Sequence, residues 1–192
     1  MENLKSYLVR LCQKAKELGA SQAVAISAAD VVLDERALLK CLVPVCSHYG
    51  VDLMCPPNVL PVSKFREVIG RYHHAILIKL DTPLSDLSAG KEDYMKAVKD
   101  AQKKLHDIVC RIESLCIEEG YHFAAGLTGG PCPLCEECVS VKSGLPCRHP
   151  FKARPAMEAM GIDVMATAKK MGLPLSFGQN ESRSWVGLVL VD

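Results

Sequence analysis

Ten cysteines carry most of the chemistry this sequence can do, and seven of them fall in two tight groups. The stronger group is Cys132-Pro-Leu-Cys135-Glu-Glu-Cys138, with Cys147 nine positions later. Two residues between cysteines let consecutive thiolates turn around one metal centre. Three in such a row match the way bacterial ferredoxins offer three corners of a cubane. Cys147 is the nearest candidate for the fourth corner, with exchange of one ligand between two clusters as the alternative. The other group is Cys41-x4-Cys46-x8-Cys55, followed directly by Pro56 and Pro57. Its spacing alone is weak evidence and gains value from the presence of a second set. The two groups supply seven thiolates, whereas two fully cysteine-ligated cubanes need eight. Either Cys12, Cys110, Cys116 or a histidine completes the count, or one iron keeps an open position where a substrate can bind.

Zinc is the main rival to iron, because four cysteines in paired spacing also build tetrahedral sites. Such sites usually use two separated pairs. Three cysteines at two-residue gaps suit a cubane better, so iron–sulfur is the preferred reading and zinc the alternative. For Cys12, Cys110 and Cys116 the preferred reading is core packing, since free cysteine behaves as a small hydrophobe. His48 and His149 lie inside the motif segments as ligands, donors to sulfide or solvated loop residues. His73 and His74 open a strand, and His106 and His122 read as surface or interface residues. Arg148 and Arg154 flank Cys147, where a cation can offset the charge of a thiolate-ligated cluster; solvated arginines are the plain alternative. Glu158 and Asp163 read first as helix caps, and Thr128-Gly129-Gly130 as a turn that can also bring backbone amides near a cluster or a phosphate.

These side chains need elements to hold them. Leu4, Leu8, Leu11, Ala15 and Leu18 recur at helical spacing, and Gly19 can end that helix in a left-handed cap. The run from Ser21 to Leu33 suits a buried strand, after which Asp34 can cap a short helix leading to Cys41. The proline-rich stretch from Cys41 to Pro61 reads as a stiff irregular loop. Ser63 is the expected cap of a helix through Tyr72, and His73–Leu80 the next strand. Residues 81–90 read as a polar loop, and Lys91–Glu118 as a long helix with one inward stripe. Tyr121–Leu127 reads as a third strand. Pro155 fits the first turn of a short helix, Asp163 caps another that Gly172 stops, and Trp185–Val191 closes as a strand. The expectation is an α/β fold of four to five central strands packed by helices, forming one domain over residues 1–192, with both cysteine groups in the connections.

The length allows one sizeable core in 192 residues. Lysine plus arginine total 23 against 22 aspartate plus glutamate, so no net field draws the chain toward nucleic acid or an anionic membrane, and neither is expected as a partner. The first twenty residues lack the unbroken apolar stretch of a secretory signal, and no run has the length of a membrane span. A soluble, cytoplasmic protein is therefore expected, in a reducing compartment where metal binding or thiol chemistry is the default use of cysteine.

The segments around Asp30–Asn58 and Gly129–Val164 resemble an uncharacterised family of bacterial and archaeal predicted metal-binding proteins, and the similarity spans nearly the whole chain. The resemblance implies metal or iron–sulfur binding by Cys41, Cys46, Cys55, Cys132, Cys135, Cys138 and Cys147, and it implies no particular reaction. The leading expectation is a protein carrying one or two 4Fe-4S clusters that exchanges electrons with a redox partner protein, as a monomer or a homo-oligomer. One alternative is an enzyme binding a small substrate at an open iron. The other is a zinc-stabilised binding module.

Overall fold

Two strands with apolar residues on both faces organise the computed structural model, which describes residues 3–83, 91–177 and 182–192. They are β2 (His74–Pro83) and β4 (Ser182–Val191), paired antiparallel along their whole length from His74 opposite Val191 to Pro83 opposite Ser182. Strand β1 (Gln22–Ser27) adds to the free edge of β2, and the short β3 (Ala125–Leu127) to that of β4. The order is therefore β1-β2-β4-β3, with every neighbour antiparallel. Burial of β2 and β4 on both faces explains their near-continuous Ile, Leu and Val content, since helices cover the sheet on each side.

One face is covered by α1 (Leu4–Glu17) and α4 (Lys91–Glu118). Tyr7, Leu8, Leu11 and Ala15 of α1 meet Leu105, Val109 and Ile112 of α4 over Ile76, Ile78 and Val189 of the sheet. Asn3 caps α1 by accepting from the Lys5 amide at 3.1 Å, and Gly19 ends it with a φ of +104°. Helix α4, 28 residues long, approaches the sheet closely at two glycines. A Cβ on Gly187 would lie 2.6 Å from Val109 Cγ2, and one on Gly126 2.7 Å from Val109 Cγ1. The opposite face is covered by α3 (Val62–Ile69) and α6 (Val164–Lys170), with Phe65, Ile69, Met157, Ile162 and Ala168 packed over Leu77, Leu188 and Leu190.

The α/β class and the four strands agree with the sequence reading, and several details differ. The first strand stops at Ser27, where a 3-10 turn begins, and the third covers only three residues. Helix α3 starts one residue before Ser63 and has no side-chain cap. Pro155 does not open a helix; the chain there makes a 3-10 turn over Glu158–Met160. Asp163 does cap α6, accepting from the Ala166 amide at 2.8 Å. The polar loop over 81–90 begins as strand through Pro83, and the rest lies outside the described residues. No helix among the described residues is long and apolar enough to cross a membrane.

Candidate metal centre

The cysteine-bearing segments leave the sandwich as long irregular connections, and hydrogen bonds within each connection hold its shape. Cys41 sits in α2 (Leu39–Leu42), a single turn that follows a 3-10 turn capped by Asp34. The Cys46 amide donates to the Cys41 carbonyl at 3.0 Å, closing a tight turn between the first two thiols. Further turns follow: Tyr49 to Cys46, Cys55 to Asp52 and Asn58 to Cys55, at 3.0 to 3.2 Å. Asn58 also donates its side-chain amide to Asp52 O, so the chain around Cys55 is tied at two points. The expectation that both groups lie wholly in connections needs one amendment, because Cys41 belongs to a helical turn.

The second connection is anchored from outside. Cys138 precedes α5 (Val139–Ser143), which Gly144 ends at a φ of +66°. After Cys147 the backbone turns at His149 and reaches helix α4. There the Lys152 carbonyl accepts from His106 Nε2 at 2.5 Å and from Cys110 Sγ at 3.2 Å. Arg154 then pairs with Glu113 at 2.5 Å, both largely buried, while Glu113 Oε1 accepts from the Gly126 amide at 3.0 Å. Helix α4 thus holds the far end of this loop through His106, Cys110 and Glu113. His106 is buried rather than a surface or interface residue, and burial first of all lowers its basicity. Arg154 has a structural partner, whereas Arg148 lines a cavity with four of the cysteines.

The two connections meet. Burial pushes the Cys55 thiol up to about 12, followed by the negative charge of Asp52, Cys41, Cys46 and Cys132. Cys132 is raised to about 11 by burial first, with smaller contributions from Asp52, Cys147 and Cys135, while the Leu134 amide acts in the opposite direction. Cys41 is raised by burial, Cys46 and Glu158. Asp52, Leu53 and Met54 of the first connection line one cavity with Cys132, Cys135, Cys138 and Cys147 of the second. The loops therefore touch just before Cys55. The cavity is narrow, about 20 Å³, room for a single water-sized body. Four of the seven thiols singled out in the sequence thus share one cavity, and the His149 amide donates to Cys147 Sγ at 3.3 Å.

Two carboxylates complete the surroundings. Asp52 Oδ2 pairs with His48 Nδ1 at 2.6 Å and lies between the two thiol sets, acting on both Cys55 and Cys132. Sequence reasoning passed over Asp52, although its position four residues after His48 and three before Cys55 was an available signal. Glu158 occupies a 3-10 turn packed on the one that precedes α2 and Cys41, and it also lines a far larger cavity of about 1200 Å³, bordered by Lys40, Gln102, Gly130, Lys169, Arg183 and Trp185. It is no helix cap; Met157 holds the N-cap position. Of the remaining cysteines, Cys12 and Cys116 are buried in the core between α1, α4 and the sheet, as expected of packing residues.

Residues 24–191 match the family described as predicted metal-binding protein, DUF2284. The chain belongs to that family. That description says metal binding and names neither the metal nor its ligands. Among the described residues of this DUF2284 chain, no three His, Cys, Asp or Glu side chains are gathered closely enough to hold one ion. No curated protein and no solved structure matches the chain.

Proposed function

We propose that the chain is an iron–sulfur protein that carries one or two 4Fe-4S clusters on these seven cysteines and passes electrons to a partner protein. The observation that supports this best is the meeting of the two cysteine loops, where Asp52, Leu53 and Met54, the residues just before Cys55, line one cavity with Cys132, Cys135, Cys138 and Cys147. Cys132, Cys135, Cys138 and Cys147 line one cavity and supply a complete set of four for one cluster. Cys41, Cys46 and Cys55 supply three for a second. When bound, such clusters supply one-electron redox chemistry, tuned by amide-to-sulfur hydrogen bonds of the kind Cys147 receives. Arg148 adds a cation beside the four-cysteine set, which favours the reduced, more negative state.

A second reading, an enzyme that binds a small substrate at an iron with only three thiolates, is favoured by the large cavity that ends at Glu158 beside Cys41. A zinc-stabilised binding module on the same four cysteines is the third reading. Anaerobic purification with analysis of iron, acid-labile sulfide and zinc separates these readings. Brown protein with equal iron and sulfide and a reversible couple in a spin-resonance redox titration is the expected result. Colourless, zinc-loaded protein without sulfide overturns the proposal, and bound clusters with no accessible couple remove electron transfer.

A further inference from the structure

The seven cysteines leave one corner of a second cubane without a thiolate, and the structure holds a buried carboxylate near the three-cysteine loop. Glu158 Oε2 is sealed from solvent and makes no hydrogen bond, although the residue as a whole keeps some exposed surface. Burial raises the pKa of the Glu158 carboxyl, while the amides of Glu158 and Gly130 and the charge of Lys40 act in the opposite direction. A buried carboxylate oxygen without a partner is costly, and such a group marks a place where an ion or a cofactor supplies what the protein does not.

The backbone sets this residue beside the first cysteine loop. The turn of Glu158–Met160 packs on the 3-10 turn of Glu35–Leu38, which runs directly into α2 and Cys41. The Asp34 amide donates to the Gly161 carbonyl at 2.8 Å, and the Ala156 amide donates to the Met54 carbonyl, next to Cys55, at 3.2 Å. Glu158 is therefore clamped between the two ends of the loop that bears Cys41, Cys46 and Cys55. We propose that Glu158 supplies the eighth donor, binding through Oε2 the iron that the three cysteines leave without a thiolate. The proposal rests on the reading of those cysteines as cluster ligands. An oxygen donor is a weaker match for iron in a cluster than a thiolate, so this corner is the most easily lost.

The test uses the full chain, purified anaerobically, as wild type and as Glu158→Gln, Glu158→Ala and Glu158→Cys. Iron and sulfide are counted per chain, and spin resonance is recorded after dithionite and after brief ferricyanide treatment. Ferricyanide takes one electron from a cubane whose corner is unprotected, which releases one ferrous ion and leaves a three-iron cluster with its own spin signal. Glu158→Ala and Glu158→Gln are expected to show that signal and the loss of one iron under conditions where the wild type keeps its full complement. Glu158→Cys is expected to resist and to shift the reduction potential downward. Unchanged iron counts, spectra and potential in all three variants overturn the assignment of Glu158. Cys41→Ser separates the two levels: if it leaves metal and spectra unchanged, the three-cysteine centre itself is wrong and Glu158 falls with it. If Cys41→Ser loses metal while the Glu158 variants match wild type, only the role of Glu158 is lost.

Discussion

Cys116 and Cys55 are both buried thiols, raised to about 11 and about 12 by burial before any other cause, yet they sit in opposite kinds of structure. Cys116 lies on the inward stripe of α4, packed with Tyr7, Leu8 and Ile112. The nearby polar groups are already engaged, as in the Tyr7 hydroxyl that donates to Leu115 O at 2.9 Å. Cys55 lies in a chain of turns, with the charges of Asp52, Cys41, Cys46 and Cys132 around it. Burial alone therefore does not mark a ligand. The neighbours do: an aliphatic shell makes a thiol a small hydrophobe, whereas a shell of further thiols and carboxylates is unfavourable unless a cation compensates it.

The largest effect is expected where the two settings are exchanged one residue at a time. Cys135→Ser, in the four-cysteine cavity, should lose bound metal, while Cys110→Ser should keep it, because a serine hydroxyl can still donate to the Lys152 carbonyl that Cys110 meets at 3.2 Å. Metal analysis of the two variants checks this, and the reverse pattern would place the ligands in the helix layer. A smaller effect follows where that layer holds the loop. Glu113→Ala leaves the guanidinium of Arg154 buried without its partner and frees the Gly126 amide. Removing one member of a buried pair costs about 3–5 kcal/mol. Denaturant unfolding of Glu113→Ala against wild type measures it, and a difference below about 1 kcal/mol would show that the pair is solvated.

What the sequence made legible follows the same division. Leu8, Leu11 and Ala15, and the stripe through Leu105, Ile108 and Ile112, announced their helices because one face repeats at helical spacing. Cys132, Cys135 and Cys138 stood out because their spacing is set within a few residues. Strand order did not, since β2 and β4 are separated in sequence by α4 and the whole second cysteine loop, and no local pattern encodes that pairing. The burial of His106 was hidden for the same reason: its partner is the Lys152 carbonyl, 46 residues away. In sequence Glu158 has the look of a cap, because carboxylates usually serve that way at helix starts. Only the fold shows Oε2 without a partner and Cys41 nearby.

The helix layer can also be tested without touching any polar group. Gly187 lies where α4 crosses β4, and a Cβ there would fall 2.6 Å from Val109 Cγ2 and 3.3 Å from Leu127 O. Gly187→Ala should destabilise by about 1–3 kcal/mol through overpacking. Pairing it with Val109→Ala, which makes room for the new methyl group, should recover part of the loss, and absence of recovery in the double variant would deny that the two touch.

The smallest effect expected is one of pH on the metal-free chain, and it rests on Cys116. Its folded pKa is raised from 9.0 to about 11, chiefly by burial, so the folded chain binds its proton more tightly than the unfolded chain does. Below pH 9 the thiol is protonated in both states and the stabilising difference is fully present. Between pH 9 and about 11 the unfolded chain ionises first, and stability falls across that window by roughly 2 kcal/mol from this thiol. Cys55 and Cys132 move in the same direction in the metal-free chain; under the proposed ligation a bound metal would hold their thiolates and remove their share. Unfolding measured from pH 8 to 11 should therefore slope downward in both forms and more steeply without metal. In Cys116→Ala the metal-loaded slope should become shallower, with Cys110 and Cys12, also raised by burial, carrying the remainder. If the two forms keep the same slope, Cys55 and Cys132 stay protonated when metal is bound, and the contrast between core thiols and ligand thiols fails where it is most directly read.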